Sequence, residues 1–93
     1  MLECLKQQDK LVIKGALTQL SLARAPNIQQ LLAGFSIDIV VDLSAVEKVD
    51  TAGVAFLLEL KECAGEQKLE ISFEGATNSL KKLKSLYNLD TII

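Results

Sequence analysis

The sequence predicts an α/β domain: a mixed β-sheet of about four strands carrying about three helices, in the order ββαβαβα. Three observations predict it. Two strand-like segments flank a polar pair near the start, as in a hairpin. The run Ile37-Asp38-Ile39-Val40-Val41-Asp42-Leu43 is nearly all apolar, as a central strand covered on both faces requires. Apolar residues then recur at helical spacing from Gly53 to Ala64.

The elements follow in order. Leu2 to Gln7 reads as a weak strand, and Gln8-Asp9 as a turn. Lys10-Leu11-Val12-Ile13-Lys14 is a stronger strand, rich in β-branched residues and stopped at Gly15. Ala16 to Leu22 fits neither period. Pro26 suits the first turn of a helix, where its missing N–H costs nothing. Ile28, Leu31 and Leu32 continue that helix and Gly34 closes it. After the central strand, Asp50 or Thr51 begins a helix running to about Ala64, with Gly65 as its stop. Gly53, Phe56, Leu57, Leu60 and Ala64 should face the sheet, with Glu59, Glu62 and Glu66 turned away. Leu69 to Glu74 alternates with period two and is a strand with one wet face. Thr77, Asn78 or Ser79 caps a last helix to about Asn88. Leu80, Leu83, Leu86 and Tyr87 share one side of it, while Lys81, Lys82, Lys84 and Ser85 form a solvated face. The hairpin is followed by right-handed crossovers, with helices over at least one face of the sheet.

With 93 residues, 49% apolar, the chain 1–93 reads as one domain. It contains no histidine, which excludes a Ser-His-Asp triad, a Cys-His pair and a His-ligated metal. It has no tryptophan, one tyrosine and three phenylalanines, too few for a stacking platform. A net charge of -2 offers no field to hold a phosphate backbone, so no nucleic-acid partner is expected. Cys4 and Cys63 form no CxxC motif and are expected as reduced thiols. The first residues lack the apolar core of a secretory signal. The apolar stretch Ala52 to Leu58 falls far short of the ~20 residues of a membrane span. The expected location is the cytoplasm, with any membrane association made through a partner and no direct insertion.

The informative segment runs from Asp42 to Leu58. It reads as a strand with Asp42 near its C-terminal end, a short exposed loop and a helix N-terminus. Loops at the carboxyl ends of strands form the working edge of open α/β sheets. Thr51 presents a hydroxyl there, and Ala52 and Gly53 leave the backbone open to close approach. Phosphate on Thr51 would add about -1.5 to -2 charge, favoured by the helix N–H groups and opposed by Asp50 and Glu47. The same Asp-Thr pair is also what an ordinary N-cap looks like. Asp42 and Asp50 lack a Gly-rich phosphate loop, and the chain has no Walker, GxGxxG or HExxH motif. No cofactor, metal or catalytic residue is read from it.

The pattern Asp42-Leu43-Ser44-x-Val46-x-x-Val49-Asp50-Thr51-x-Gly53-Val54 closely resembles the signature of STAS domains. These are the fold of anti-sigma factor antagonists and of the cytoplasmic tails of sulfate transporters. The lead-in Leu22-Ala23-Arg24-Ala25-Pro26-Asn27 and the element order also match, so the resemblance covers nearly the whole chain. It implies a STAS-like mixed sheet. It also makes Thr51 the phosphoacceptor position of anti-sigma factor antagonists, which implies a serine/threonine kinase or anti-sigma factor as partner. Asp50-Thr51-Ala52-Gly53 and Leu86-Tyr87-Asn88-Leu89 are similar to the MlaB-type branch. That branch binds the MlaF-like cytoplasmic ATPase of an ABC system that moves phospholipids and maintains outer-membrane lipid asymmetry. By this resemblance Thr51 is a contact to the ATPase, supported by Asp42, Ser44, Asp50, Ala52, Gly53 and Val54, in a non-catalytic subunit held near the inner membrane. One departure stands out. Many STAS domains carry Gly-Glu-Leu-Asp after the second strand, where this chain has Gly15-Ala16-Leu17-Thr18 and so lacks both acids.

Overall fold

The computed structural model describes residues 2–7, 10–23, 27–35 and 38–87. The elements are β1 (Leu2–Gln7), β2 (Lys10–Leu17), α1 (Gln19–Leu22), α2 (Ile28–Leu32), β3 (Ile39–Val49), α3 (Thr51–Glu66), β4 (Ile71–Glu74) and α4 (Asn78–Leu86). The sheet order is β1-β2-β3-β4. β1 and β2 form the expected antiparallel hairpin, and β2–β3 and β3–β4 are parallel. The mixed four-stranded α/β sheet therefore matches the sequence reading, with four helices where about three were expected. The turn Gln8-Asp9, the Arg24-Ala25-Pro26 lead-in, Ile37 and the tail from Asn88 lie outside the described residues.

Two expectations about strands are corrected. Gly15 does not stop β2, which continues to Leu17. Gly15 takes φ 94, open to a residue without Cβ, and the β2–β3 register shifts just after it. The stretch after Leu43 is not an exposed loop, because β3 is one strand of 11 residues. Asp42 therefore sits in the first half of β3, not near its end. The physical reason is a pair of bulges. Val12 pairs with Asp42 and Lys14 with Ala45, so two β3 residues face one on β2. A second extra residue, Glu47, lies between the partners of Gly15 and Ala16. Each bulge resets the alternation. Buried positions on β3 fall at Ile39, Val41 and Leu43, and the next is Val46. A strict two-residue period breaks at that point, which makes the segment look like loop.

Burial is also mostly one-sided. Leu11, Ile13, Ile39, Val41 and Leu43 are fully buried in one core with Leu57, Leu60 and Leu80 from the helices. Of the alternate residues, Val12 is buried, while Lys10, Val40 and Asp42 are only half-buried. β3 is thus central by its two neighbouring strands, while among the described residues the second face of the sheet is only partly covered. On that face Lys10 and Asp42 form an ion pair at 3.9 Å. Such exposed pairs contribute about 0–1 kcal/mol.

Helix α3 touches α1, α2, α4 and the strands β2, β3 and β4. Its buried face is Gly53, Val54, Leu57, Leu60 and Ala64, so Val54 takes a place expected for Phe56, which is half-buried. Gly65 is not the stop. The helix ends in a Schellman turn, with Leu69 N–H on the Ala64 carbonyl at 2.8 Å and Lys68 N–H on Gly65 at 3.0 Å. Lys68, at φ 61, holds the left-handed position usually given to glycine. Helix α2 is shorter than expected and is capped by Asn27, whose side chain accepts from Gln30 N–H at 2.9 Å. Its last carbonyls, Gln30 and Ala33, accept from the Lys6 ammonium of β1, a cation at the negative helix end. Of the three caps considered for α4, Thr77 is the one used. Along that helix the apolar stripe leaves the core: Leu80 is buried, Leu83 half-buried, Leu86 70% and Tyr87 50% exposed.

Candidate functional site

The start of α3 is built by one carboxylate and one missing side chain. Asp50 is the N-cap, and its side chain accepts from Gly53 N–H at 3.1 Å. Its other oxygen accepts from Gln19 N–H at 3.0 Å, the first residue of α1. Its own N–H donates to the Leu17 carbonyl at 3.1 Å, which closes the β2–β3 ladder. The backbone bond from Gln19, followed by those from Gly53 and Ala52, holds the Asp50 carboxyl below its usual pKa. Asp50 therefore joins the ends of β2 and β3 to the starts of α1 and α3.

Gly53 completes the joint. A Cβ there would lie 2.1 Å from the Leu17 carbonyl oxygen and 2.9 Å from Val49 Cγ2. This corrects the reading of Gly53 as backbone open to a partner. Its bare face is filled by β2, and Val54 beside it is 3% exposed. Ala52 is half-buried, so among these residues the exposed one is Thr51.

Asp42 and Ser44 lie elsewhere. At about 3.3 Å per residue, the rest of β3 separates Ser44 from Asp50 by roughly 15–20 Å. Asp42 accepts from Ser44 N–H at 2.9 Å and from its hydroxyl at 2.6 Å. The side-chain bond first, then the backbone bond, lowers the Asp42 pKa. This closed pair spans the first bulge, and Gly75 (φ 71) packs so tightly that a Cβ on it would be 2.8 Å from Ser44 Cβ. The structure does not bring Asp42 and Ser44 to the Thr51 surface. They shape β3 so that Asp50 arrives at the end of β2.

What Thr51 meets instead is the far end of α4. Thr51, Val54, Ala55, Leu58 and Tyr87 line a shallow, largely apolar groove of about 390 Å³. Leu86 is exposed beside it. Across α3, Leu20 of α1 is 86% exposed, one residue from the Gln19 amide held by Asp50. Of the large exposed apolar side chains among the described residues, Tyr87 is the one that lines the groove at Thr51. Sequence reading missed Ala55 and Leu58 here. The signal was present, since Thr51, Ala55 and Leu58 stand at i, i+4 and i+7 on a row beside the core face. Leu20 had no such signal, because α1 is one turn inside a segment without period.

The cysteines are both free and half-buried. Burial pushes both thiols up, and Glu66, Glu59 and Glu62 push Cys63 further, so neither is an activated nucleophile. Among the described residues no three His, Cys, Asp or Glu side chains gather as metal ligands would.

The family model described as "Mlab, STAS domain" matches residues 2–93. The chain is 41% identical over 49 residues to the intermembrane phospholipid transport system binding protein MlaB of Escherichia coli, and equally to that of Shigella flexneri. The matched segment is 53% of this chain and spans about half (50%) the length of those relatives. A sulfate transporter family protein from Wolinella succinogenes shares the fold, with TM-score 0.69 and 14% identity over 87% of this chain and 66% of that one.

Two measurements check the joint. Gly53→Ala is expected to lower the unfolding free energy by about 3 kcal/mol, because the clash is with backbone. Gly65→Ala on the same helix, with nothing within 4 Å, should raise it by about 0.5–1 kcal/mol. Equal effects in urea titrations would contradict the close approach. The second is a pH series. Asp50 has a depressed folded pKa, so its contribution is present above the unfolded value of about 3.9 and lost as pH falls below it. Asp50→Asn should be less stable than wild type at pH 7, and the difference should shrink as pH falls below about 3.9. A constant difference across that range would show that the charge contributes nothing.

Proposed function

Because the chain belongs to the STAS domain family, we propose that residues 1–93 act as one non-catalytic domain. It binds and regulates the cytoplasmic ATPase of a phospholipid-transporting ABC complex. The reading is supported by the identity to proteins named as binding components of a phospholipid transport system. The observation that carries it is the exposed Thr51 beside a shallow apolar groove that ends in Tyr87. A surface of this kind holds a protein partner through apolar burial, with the hydroxyl fixing register. Regulation then requires only that the subunit bind one ATPase state more tightly than another. Among the described residues no helix is long and apolar enough to cross a membrane, so the ATPase would hold the subunit at the membrane.

The exposed Thr51 hydroxyl also supports a second reading, an anti-sigma factor antagonist-like regulator switched by phosphorylation. In that case a cognate serine/threonine kinase adds one phosphate to Thr51, visible by intact mass.

Thr51→Glu separates fold from contact. An acid in the first helical turn suits the helix dipole, so circular dichroism should stay native. Co-purification with the ATPase should be lost, because the charge would be buried against an apolar partner. Undiminished co-purification would overturn the contact.

A further inference from the structure

Helix α4 carries Lys81, Lys82 and Lys84 and no acidic residue. At 100° per residue, Leu86 and Tyr87 project between Lys82 on one flank and Lys84 on the other. Lys82 stands one turn before Leu86, at i, i+4, and Lys84 one turn before Tyr87, at i, i+3. Lys81 points to the opposite side of the helix. Lys82 is exposed and Lys84 half-buried. On the α3 side, the Asp50 carboxylate caps the helix one residue before Thr51, where the Gln19 and Gly53 N–H groups engage it. Along the row Thr51, Ala55 and Leu58, the next acid is Glu62, about 16 Å below Thr51. Glu59 lines a different groove, with Leu22, Ile28 and Cys63. In a chain of net charge -2, the α4 edge of the Thr51–Tyr87 groove is therefore bordered by positive charge among the described residues.

We infer that Lys82 and Lys84 form a basic rim, and that the surface of the ATPase that docks here is an apolar patch edged by carboxylates. The inference rests on the docking reading above and adds the chemistry of the partner's face. Rim charges of this kind govern the rate of encounter and its salt dependence, while the buried apolar centre governs the lifetime. A lipid surface is the weaker occupant. Two lysines alone give only a weak hold on an anionic membrane. The apolar side chains also line a groove that a protruding side chain would fill.

The test is binding kinetics of the chain to immobilised purified ATPase subunit, at low and high salt. Lys82→Glu should slow association about tenfold near 0.05 M salt and less than about twofold near 0.5 M, with the dissociation rate little changed. Lys81→Glu makes the same change in net charge on the far side of the helix and should alter association less than about twofold at either salt. Leu86→Ser should speed dissociation at both salts. If Lys81→Glu and Lys82→Glu act alike, only net charge matters and the rim is overturned. Tight binding that no lysine change affects also overturns the rim, and leaves the docking reading standing. Absence of any binding by wild type overturns both. Capture of wild type, but not Lys82→Glu, by phosphatidylglycerol vesicles, with no rate effect on the ATPase, would assign the lysines to lipid and overturn the inference.

Discussion

The carboxylate of Asp50 accepts one hydrogen bond from the start of α1 and one from the start of α3, while its N–H closes the ladder between β2 and β3. Four elements meet at one residue. Each bond alone is modest, about 0.5–1.5 kcal/mol for a typical pair and more where the acceptor is charged. Their effect is positional. They fix where α3 begins relative to the sheet, and so hold Thr51 outward as the helix turns inward at Gly53. The contact at Gly53 is a steric counterpart to the polar one, since it admits no side chain between α3 and Leu17.

Much of the rest of the chain serves that meeting point. β3 must reach the end of β2, and its two bulges insert the extra residues that let it do so while keeping Leu43 and Val46 in the core. The first bulge is closed by Asp42 on Ser44 and backed by Gly75. In this way the polar residues of the strand act on Thr51 from a distance, through backbone geometry. α4 then brings Tyr87 to the same end of the molecule. Its last turn leaves Leu86 outside the core formed by the described residues.

The sequence disclosed the fold through its regular parts. Lys10 to Lys14, Ile39 to Leu43 and Gly53 to Ala64 each keep one period long enough to name the element. It failed where a single local event changed the period. The bulge after Leu43 turned strand into apparent loop. Gly15 was read as a breaker, whereas its positive φ lets β2 run on. α1 is only four residues, too short for a pattern. At the site, Thr51 and Asp50 were legible because capping has a local signature. The roles of Asp42, Ser44 and Gly53 were not, since each depends on a distant partner: the bulge in β3, the turn at Gly75 and the carbonyl of Leu17. Nor could periodicity show that Leu86 and Tyr87, on the apolar side of α4, remain exposed among the described residues.

Amide hydrogen exchange of the chain, free and with saturating ATPase subunit, tests the central claim most directly. The account predicts new protection in peptides covering residues 18–23, 51–58 and 83–87, with the partly covered sheet face of β1, β2 and β4 unchanged. Protection confined to that face, with the start of α3 and the end of α4 exchanging as in the free chain, would contradict it.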